Sequence, residues 1–389
     1  MSKVQVKIVI GANYGDEGKG LATRFFSINS DKPCLNVLFN GGCQRGHTVD
    51  LKNGKRHVFH HFGSGSFDGA DTFFDRNFIL NPIVFVQELF ELQSNKVNPS
   101  CFASEFCRVS TPYDAFINQI VENSRGGTRH GSCGFGIWET QKRYEDSKYA
   151  KSFNELSQMT DEQLKTYLVD IRTNYLPYRL SYYGVEKIPV EYSSLINSDG
   201  LISHYISDFR VMANCVKQIQ FINIREQYKT IVFEGAQGLA LDENNKKALP
   251  YITASDTTSL VPIQRVGDLD CDIEVCYITR SYFTRHGAGV FPSECSKEDV
   301  SKDIVDITNI PNEFQGTIRY GKFEIREFFA RVVPDFERAK MMEPRIKTSL
   351  LVTHLNYTGD ISGNTKLFEL QESFNNVYKS RTKYAEDIG

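Results

Sequence analysis

From Val4 the chain alternates: Val4, Val6, Ile8 and Ile10 are apolar and interleaved with other residues, a period of two that predicts a strand. The pattern breaks into the glycine-rich GANYGDEGKG of residues 11–20, and helical spacing follows over residues 21–27. Short apolar runs recur at residues 36–40, 230–234, 273–279 and 349–355, each predicting a buried strand. Polar or glycine-rich loops follow them, among them GGCQRGHT from Gly41, GAQG from Gly235 and TRHGAG from Thr284. Residues 126–136 form another such loop, holding Arg129, His130, Ser132 and Cys133. Pro82 opens a helix whose Val84, Phe85, Leu89 and Leu92 make one apolar stripe. Thr160 and Gln163 read as a capping box before Leu164, within a mostly helical stretch over residues 144–228.

Buried strands with helices between them and loops at their ends predict an α/β fold. The expectation is a large, mostly parallel central sheet with helices on both faces. Residues 1–389 are expected to form a single domain with a helical insertion near 144–228. Ligands in such folds bind at the carboxyl ends of the strands.

Composition narrows the function classes. A net charge of −3 argues against a protein devoted to nucleic acid, and no run of 18 apolar residues predicts a membrane span. The N-terminus passes from strand to loop without the pattern of a signal peptide. Nine cysteines without a C-x-x-C are expected to be free thiols of a cytoplasmic protein, and Cys271 with Cys276 is not read as a zinc pair. His57, His60 and His61 suggest a metal by proximity, but His60 and His61 point to opposite faces of a strand, which favours a core residue beside a surface one.

A strand entering a glycine-rich turn with a lysine cradles phosphate on backbone N–H groups. The first loop is not a Walker A sequence, because Asn13 stands where its first glycine belongs and Lys19 is followed by Gly20. Asp16 and Lys19 in the first loop, with His47, Gln237 and Arg319 in three others, would be united by one polar pocket. A carboxylate, a lysine and a histidine are the inventory of phosphoryl transfer.

Several loops together resemble the adenylosuccinate synthetase family. GDEGKG at residues 15–20 is its most specific match; NGGCQRGHT at 40–48, FEGAQG at 233–238, PYIT at 250–253 and TRHGAG at 284–289 follow in order, and Asn312 precedes the place of the family's arginine-rich loop. The resemblance implies a ligase joining L-aspartate to carbon 6 of IMP through a 6-phosphoryl intermediate, driven by GTP or ATP. It implies catalytic roles for Asp16, Lys19, His47 and Gln237, and nucleotide contacts from Gly15, Glu17, Gly18, Gly20, Gly46, Thr48 and Asn356. Gln44, Cys133, Arg143 and Thr253 would hold the purine monophosphate, and Thr317 and Arg319 the aspartate. Mg²⁺ would sit on Asp16 and the Gly46 carbonyl, in a homodimer.

Three departures accompany the match. The family's guanine-reading T-K-x-D is here Thr353-His354-Leu355-Asn356, and an asparagine donates as well as accepts, which suits ATP. The family's TTGRRRR loop is trimmed to GTIRYG at residues 316–321, leaving Arg319 alone. No C-terminal base-binding segment aligns. These features resemble a phage branch that joins aspartate to dGMP, although Asp16, which that branch replaces, is retained. A P-loop-like hydrolase is the reading from another class.

Overall fold

The computed structural model describes residues 3–306, 309, 314–363 and 366–389. Nine strands form the central sheet: β1 (Val4–Gly11), β2 (Cys34–Leu38), β3 (Asp71–Phe74), β4 (Cys101–Ala103), β5 (Val216–Gln218), β6 (Thr230–Glu234), β7 (Cys271–Arg280), β8 (Lys347–Thr353) and β9 (Asn376–Lys379). Their order across the sheet is β9-β8-β7-β1-β6-β2-β3-β4-β5, and every neighbouring pair is parallel. The expected α/β architecture is therefore present, with β1 near the centre of the sheet.

Alternation along β1 sends its side chains to two different cores. Val6, Ile8 and Ile10 pack with Phe328 and Val332, while Val9 faces Ala22 and Phe26. These partners lie on α1 (Lys19–Ile28) and on a long helix, Ile325–Met342, so helices cover both faces. All five residues of β2 and of β6 are buried, as expected of strands covered on both sides.

Helix α2 (Pro82–Ser94) begins where the sequence predicts, with the Asn81 side chain accepting from Val84 N. Helices α3 (Pro112–Ser124) and α4 (Ile137–Tyr144) lead into the helical stretch, where the Thr160 capping box is present. That stretch ends at Cys215, short of residue 228, because Val216–Gln218 pairs with β4 as the edge strand of the sheet. His61 is fully buried and its Nε2 accepts from Asn81 N, while His60 Nδ1 meets the Cys43 carbonyl. No cluster of three metal-ligating side chains occurs among the described residues, and no described helix is long and apolar enough to cross a membrane.

Candidate active site

Parallel strands all release their loops at one edge, and here those loops enclose a cavity of about 1400 Å³. The loop after β1 is held in shape by Glu17. Its Oε1 accepts from Asn13 N (3.0 Å) and Gly15 N (2.9 Å), and its Oε2 pairs with Lys19 Nζ at 2.9 Å. A Cβ on Gly11 would lie 2.7 Å from Glu17 Oε2 and 3.0 Å from Lys19 Nζ, so this pair needs a glycine beneath it. Glu17 is buried and absent from the cavity wall. It organises the loop and does not meet the ligand directly, contrary to the expected nucleotide contact.

The same loop puts Gly15, Asp16, Gly18, Lys19 and Gly20 on the wall. Asp16 Oδ2 lies 3.1 Å from His286 Nε2, and its own carbonyl accepts from Arg280 Nε at 2.6 Å. Burial works to raise the Asp16 carboxyl, but the His286 hydrogen bond and the charges of His286, Arg280 and Lys19 prevail and lower it to about 2.

The loop after β2 contributes Gln44, Gly46, His47 and Thr48. Both amide atoms of Gln44, His47 Nε2 and the Thr48 hydroxyl are buried without a hydrogen-bond partner. Orphaned polar atoms on a cavity wall are suited to a polar ligand. His47 Nδ1 lies 2.6 Å from Glu234 Oε1. Burial, reinforced by Arg45, lowers the imidazole to about 4 against the pull of Glu234. Burial would raise Glu234, yet Arg45, His47 and Ser64 hold it at about 2. The neutral His47 therefore donates through Nδ1 and turns a bare Nε2 to the cavity.

Gln237, Cys133, Thr253 and Asn356 also line the cavity, joining loops from far-apart parts of the chain. Gln237 has φ of 64° and brings Oε1 within 3.9 Å of where a Gly15 Cβ would stand. Burial raises the Cys133 thiol, leaving it neutral. Thr353 Oγ1 donates to the Glu17 carbonyl (2.8 Å) and meets His354 Nδ1 (2.8 Å), tying the end of β8 to the first loop.

Three expected ligand contacts are not there. Arg143 is fully buried between α3 and α4, where its Nε pairs with Asp114 at 2.9 Å and its other nitrogens donate to the Val109 and Tyr149 carbonyls and the Tyr167 hydroxyl. It is a core arginine. Arg319 forks onto Glu294 and also donates to the carbonyls of Gly287 and Gly289, and Thr317 is exposed; neither lines the cavity. Asn312 lies outside the described residues.

The structure adds the wall residues Arg280, Thr382 and Lys383, and puts Arg285 and His286, named before only as letters of TRHGAG, on the same wall. Glu234, beneath His47, was visible only as a letter in FEGAQG. Thr382 and Lys383 bring the C-terminal region, in which no base-binding segment was recognised, to the same wall as Asn356.

For Mg²⁺, the available donors are the Asp16 carboxylate and the exposed Gly46 carbonyl. Two hard oxygens fit an ion that keeps waters and phosphate oxygens as its remaining ligands.

The sheet, its single loop edge and the cradle around Lys19 define an α/β protein with a polar cavity shaped for phosphorylated ligands. A family model described as adenylosuccinate synthetase matches residues 8–319, and the chain belongs to this family of C–N ligases. The adenylosuccinate synthetase of Saccharophagus degradans is 29% identical over 302 residues, covering 76% of this chain and 66% of that protein. That of Teredinibacter turnerae is 30% identical over 296 residues, covering 75% and 65%. The match thus spans slightly less than two thirds of these relatives. In fold, the chain is similar to the fully ligated adenylosuccinate synthetase of Plasmodium falciparum, with TM-score 0.68 and 19% identity over 91% of this chain and 77% of that one. It is also similar to the succinoaminodeoxyadenylate synthetase of cyanophage S-2L, bound to dGMP and dATP as an energy donor, with TM-score 0.63 and 14% identity over 100% and 95%.

Proposed function

We propose that the protein ligates L-aspartate to carbon 6 of a purine nucleotide, IMP, with GTP or ATP as the energy source, giving adenylosuccinate. The observation that carries this reading is the convergence of Asp16, Lys19, Gln44, His47 and Gln237 on one cavity wall.

In this reading Gln237 and Gln44 hold the purine, and Cys133 and Thr253 face its phosphate. Asp16 takes the N1 proton, making O6 the nucleophile toward the γ-phosphate, and Lys19 stabilises the charge that develops on the phosphoryl oxygens. The aspartate amine then displaces phosphate from carbon 6. His47 supplies a proton or hydrogen bond to the leaving diphosphate only after the triphosphate's negative charge raises it from its neutral, ligand-free state. Mg²⁺, held by Asp16 and the Gly46 carbonyl, would neutralise phosphoryl charge. The homodimer and a cytoplasmic setting belong to the same reading.

A second reading is the same chemistry on dGMP with an adenine nucleotide. It is supported by Asn356 and by the Asp16–His286 contact, since a carboxylate lowered to about 2 is a weak base for a purine N–H. Phosphate release with L-aspartate, crossing IMP or dGMP with GTP or ATP, tests both. Release requiring IMP supports the first reading, and release requiring dGMP replaces it with the second. No aspartate-dependent release in any combination refutes the ligase.

A further inference from the structure

Six arginines line the large cavity, and five of them have a carboxylate partner. Arg45 pairs with Glu234 (3.5 Å), Arg56 with Asp50 (2.9 Å), Arg179 with Glu139 (2.9 Å) and Arg280 with Asp306 (3.4 Å), and Arg125 pairs with Glu122. Arg285 alone has none among the described residues. It is 4% exposed, so water does not replace the missing partner. Its Nε donates to the Ala288 carbonyl (3.2 Å) and its Nη1 to the Val290 carbonyl (2.8 Å), and the guanidinium also hydrogen-bonds the Tyr14 side chain, so three of its five N–H donors are engaged by neutral groups and none by a carboxylate.

The position of this cation is built. Its guanidinium lies 4.7 Å from the centre of the Tyr14 ring, in the glycine-rich loop two residues before Asp16, and Arg331 stacks on the same ring at 5.1 Å. Gly289 lies against Nη2, and a Cβ there would collide with it. Next in sequence, His286 reaches Asp16. Arg331 and Arg319 already have Glu327 and Glu294, so the group carries an excess of positive charge. Burial, together with Arg319 and Arg331, works against the Arg285 charge, a cost that an arriving anion would relieve.

We propose that Arg285 is the carboxylate anchor for the amino-dicarboxylate substrate, taking the role that the sequence suggests for Arg319. The inference rests on the aspartate-ligase reading. A planar guanidinium whose donors meet only neutral groups takes an arriving carboxylate in a two-pronged grip, and a cavity wall close to Asp16 is where the amine must arrive.

The test compares the full-length protein with Arg285→Gln and Arg285→Lys. Kinetics give KM for L-aspartate and for the purine monophosphate, and calorimetry gives the affinity for succinate as an unreactive dicarboxylate probe on nucleotide-loaded protein. The Gln variant is expected to raise the aspartate KM and weaken succinate binding by about tenfold or more, with the nucleotide KM within about twofold. If Gln disrupts folding, judged by the thermal midpoint, Lys carries the test: it keeps the charge, loses the fork and should still raise the aspartate KM several-fold. An unchanged aspartate KM overturns the proposal, as does an equal rise in both KM values or an absence of succinate binding by the unsubstituted protein. Aspartate-dependent release that is indifferent to Arg285→Gln removes the anchor and leaves the ligase. Succinate binding lost on Arg285→Gln, in a protein without aspartate-dependent release, removes the ligase and leaves the anchor.

Discussion

Two ion pairs, one on the cavity wall and one away from it, use the same device at different depths. At the phosphate corner Lys19 pairs with Glu17, their side chains 3% and 2% exposed. Away from that wall Arg319 pairs with Glu294, 25% and 45% exposed. The first pair is enclosed with the backbone N–H groups of Asn13 and Gly15, so charge, loop shape and cradle are set before a ligand arrives. The second pair sits in water and ties a short strand to its neighbour, and the unsatisfied charge beside it belongs to Arg285. An ion pair thus says little by itself; what matters is whether solvent can substitute for either member.

Breaking the enclosed pair should have the largest effect. Glu17→Ala leaves a buried ammonium and two loop N–H groups without partners, an expected loss of about 3–5 kcal/mol. Chemical denaturation measures it, and a loss below about 1 kcal/mol would show that the loop does not depend on Glu17.

The second test uses pH on the His47–Glu234 pair, which is equally enclosed. The fold holds His47 neutral, with its pKa lowered from 6.5 to about 4. The unfolded chain therefore takes up the proton first as pH falls, so this stabilisation is complete above 6.5 and fades towards 4. The shift corresponds to roughly 3 kcal/mol. Glu234, lowered from 4.5 to about 2, contributes stability above 4.5 that is lost as pH falls towards 2. Urea midpoints between pH 7.5 and 4 should fall, and His47→Asn should flatten that fall; an equal slope in both proteins would refute the assignment. Triphosphate binding near pH 7 should take up a proton at His47, seen as a dependence of the binding heat on the buffer.

The smallest effect is expected at the exposed pair. Glu294→Gln should cost no more than about 1 kcal/mol in stability, diminishing further in high salt. Freed from Glu294, Arg319 should change the aspartate KM by less than about threefold. A larger decrease in that KM would make Arg319 a substrate ligand held in reserve.

The comparison also marks what could be read from the letters alone. Strands with several alternating or continuous apolar residues, such as β1 and β6, were legible, as were the loops that follow them. The three-residue strands β4 and β5 were not, because so short a segment carries no period and becomes a strand through its neighbours. The acid partners of Arg143 and Arg319 were not legible for a related reason. A cation's task depends on the acid it meets, and Asp114 and Glu294 lie 29 and 25 positions away in sequence. Lys19 meets Glu17 only two positions away, a partner legible in the sequence, whereas His286 reaches Asp16 only through the folded sheet.

The central position of β1 has a consequence for how the chain is made. Val4 pairs with Cys271 and Gln5 with Thr230, so this strand has neither of its neighbours until synthesis has passed residue 230. Contacts this distant in sequence close slowly. The apolar face of Val6, Ile8 and Ile10 is then a natural target for a holding chaperone during translation. Nascent chains stalled before residue 271 should leave β1 open to protease, and those stalled well beyond residue 280 should protect it.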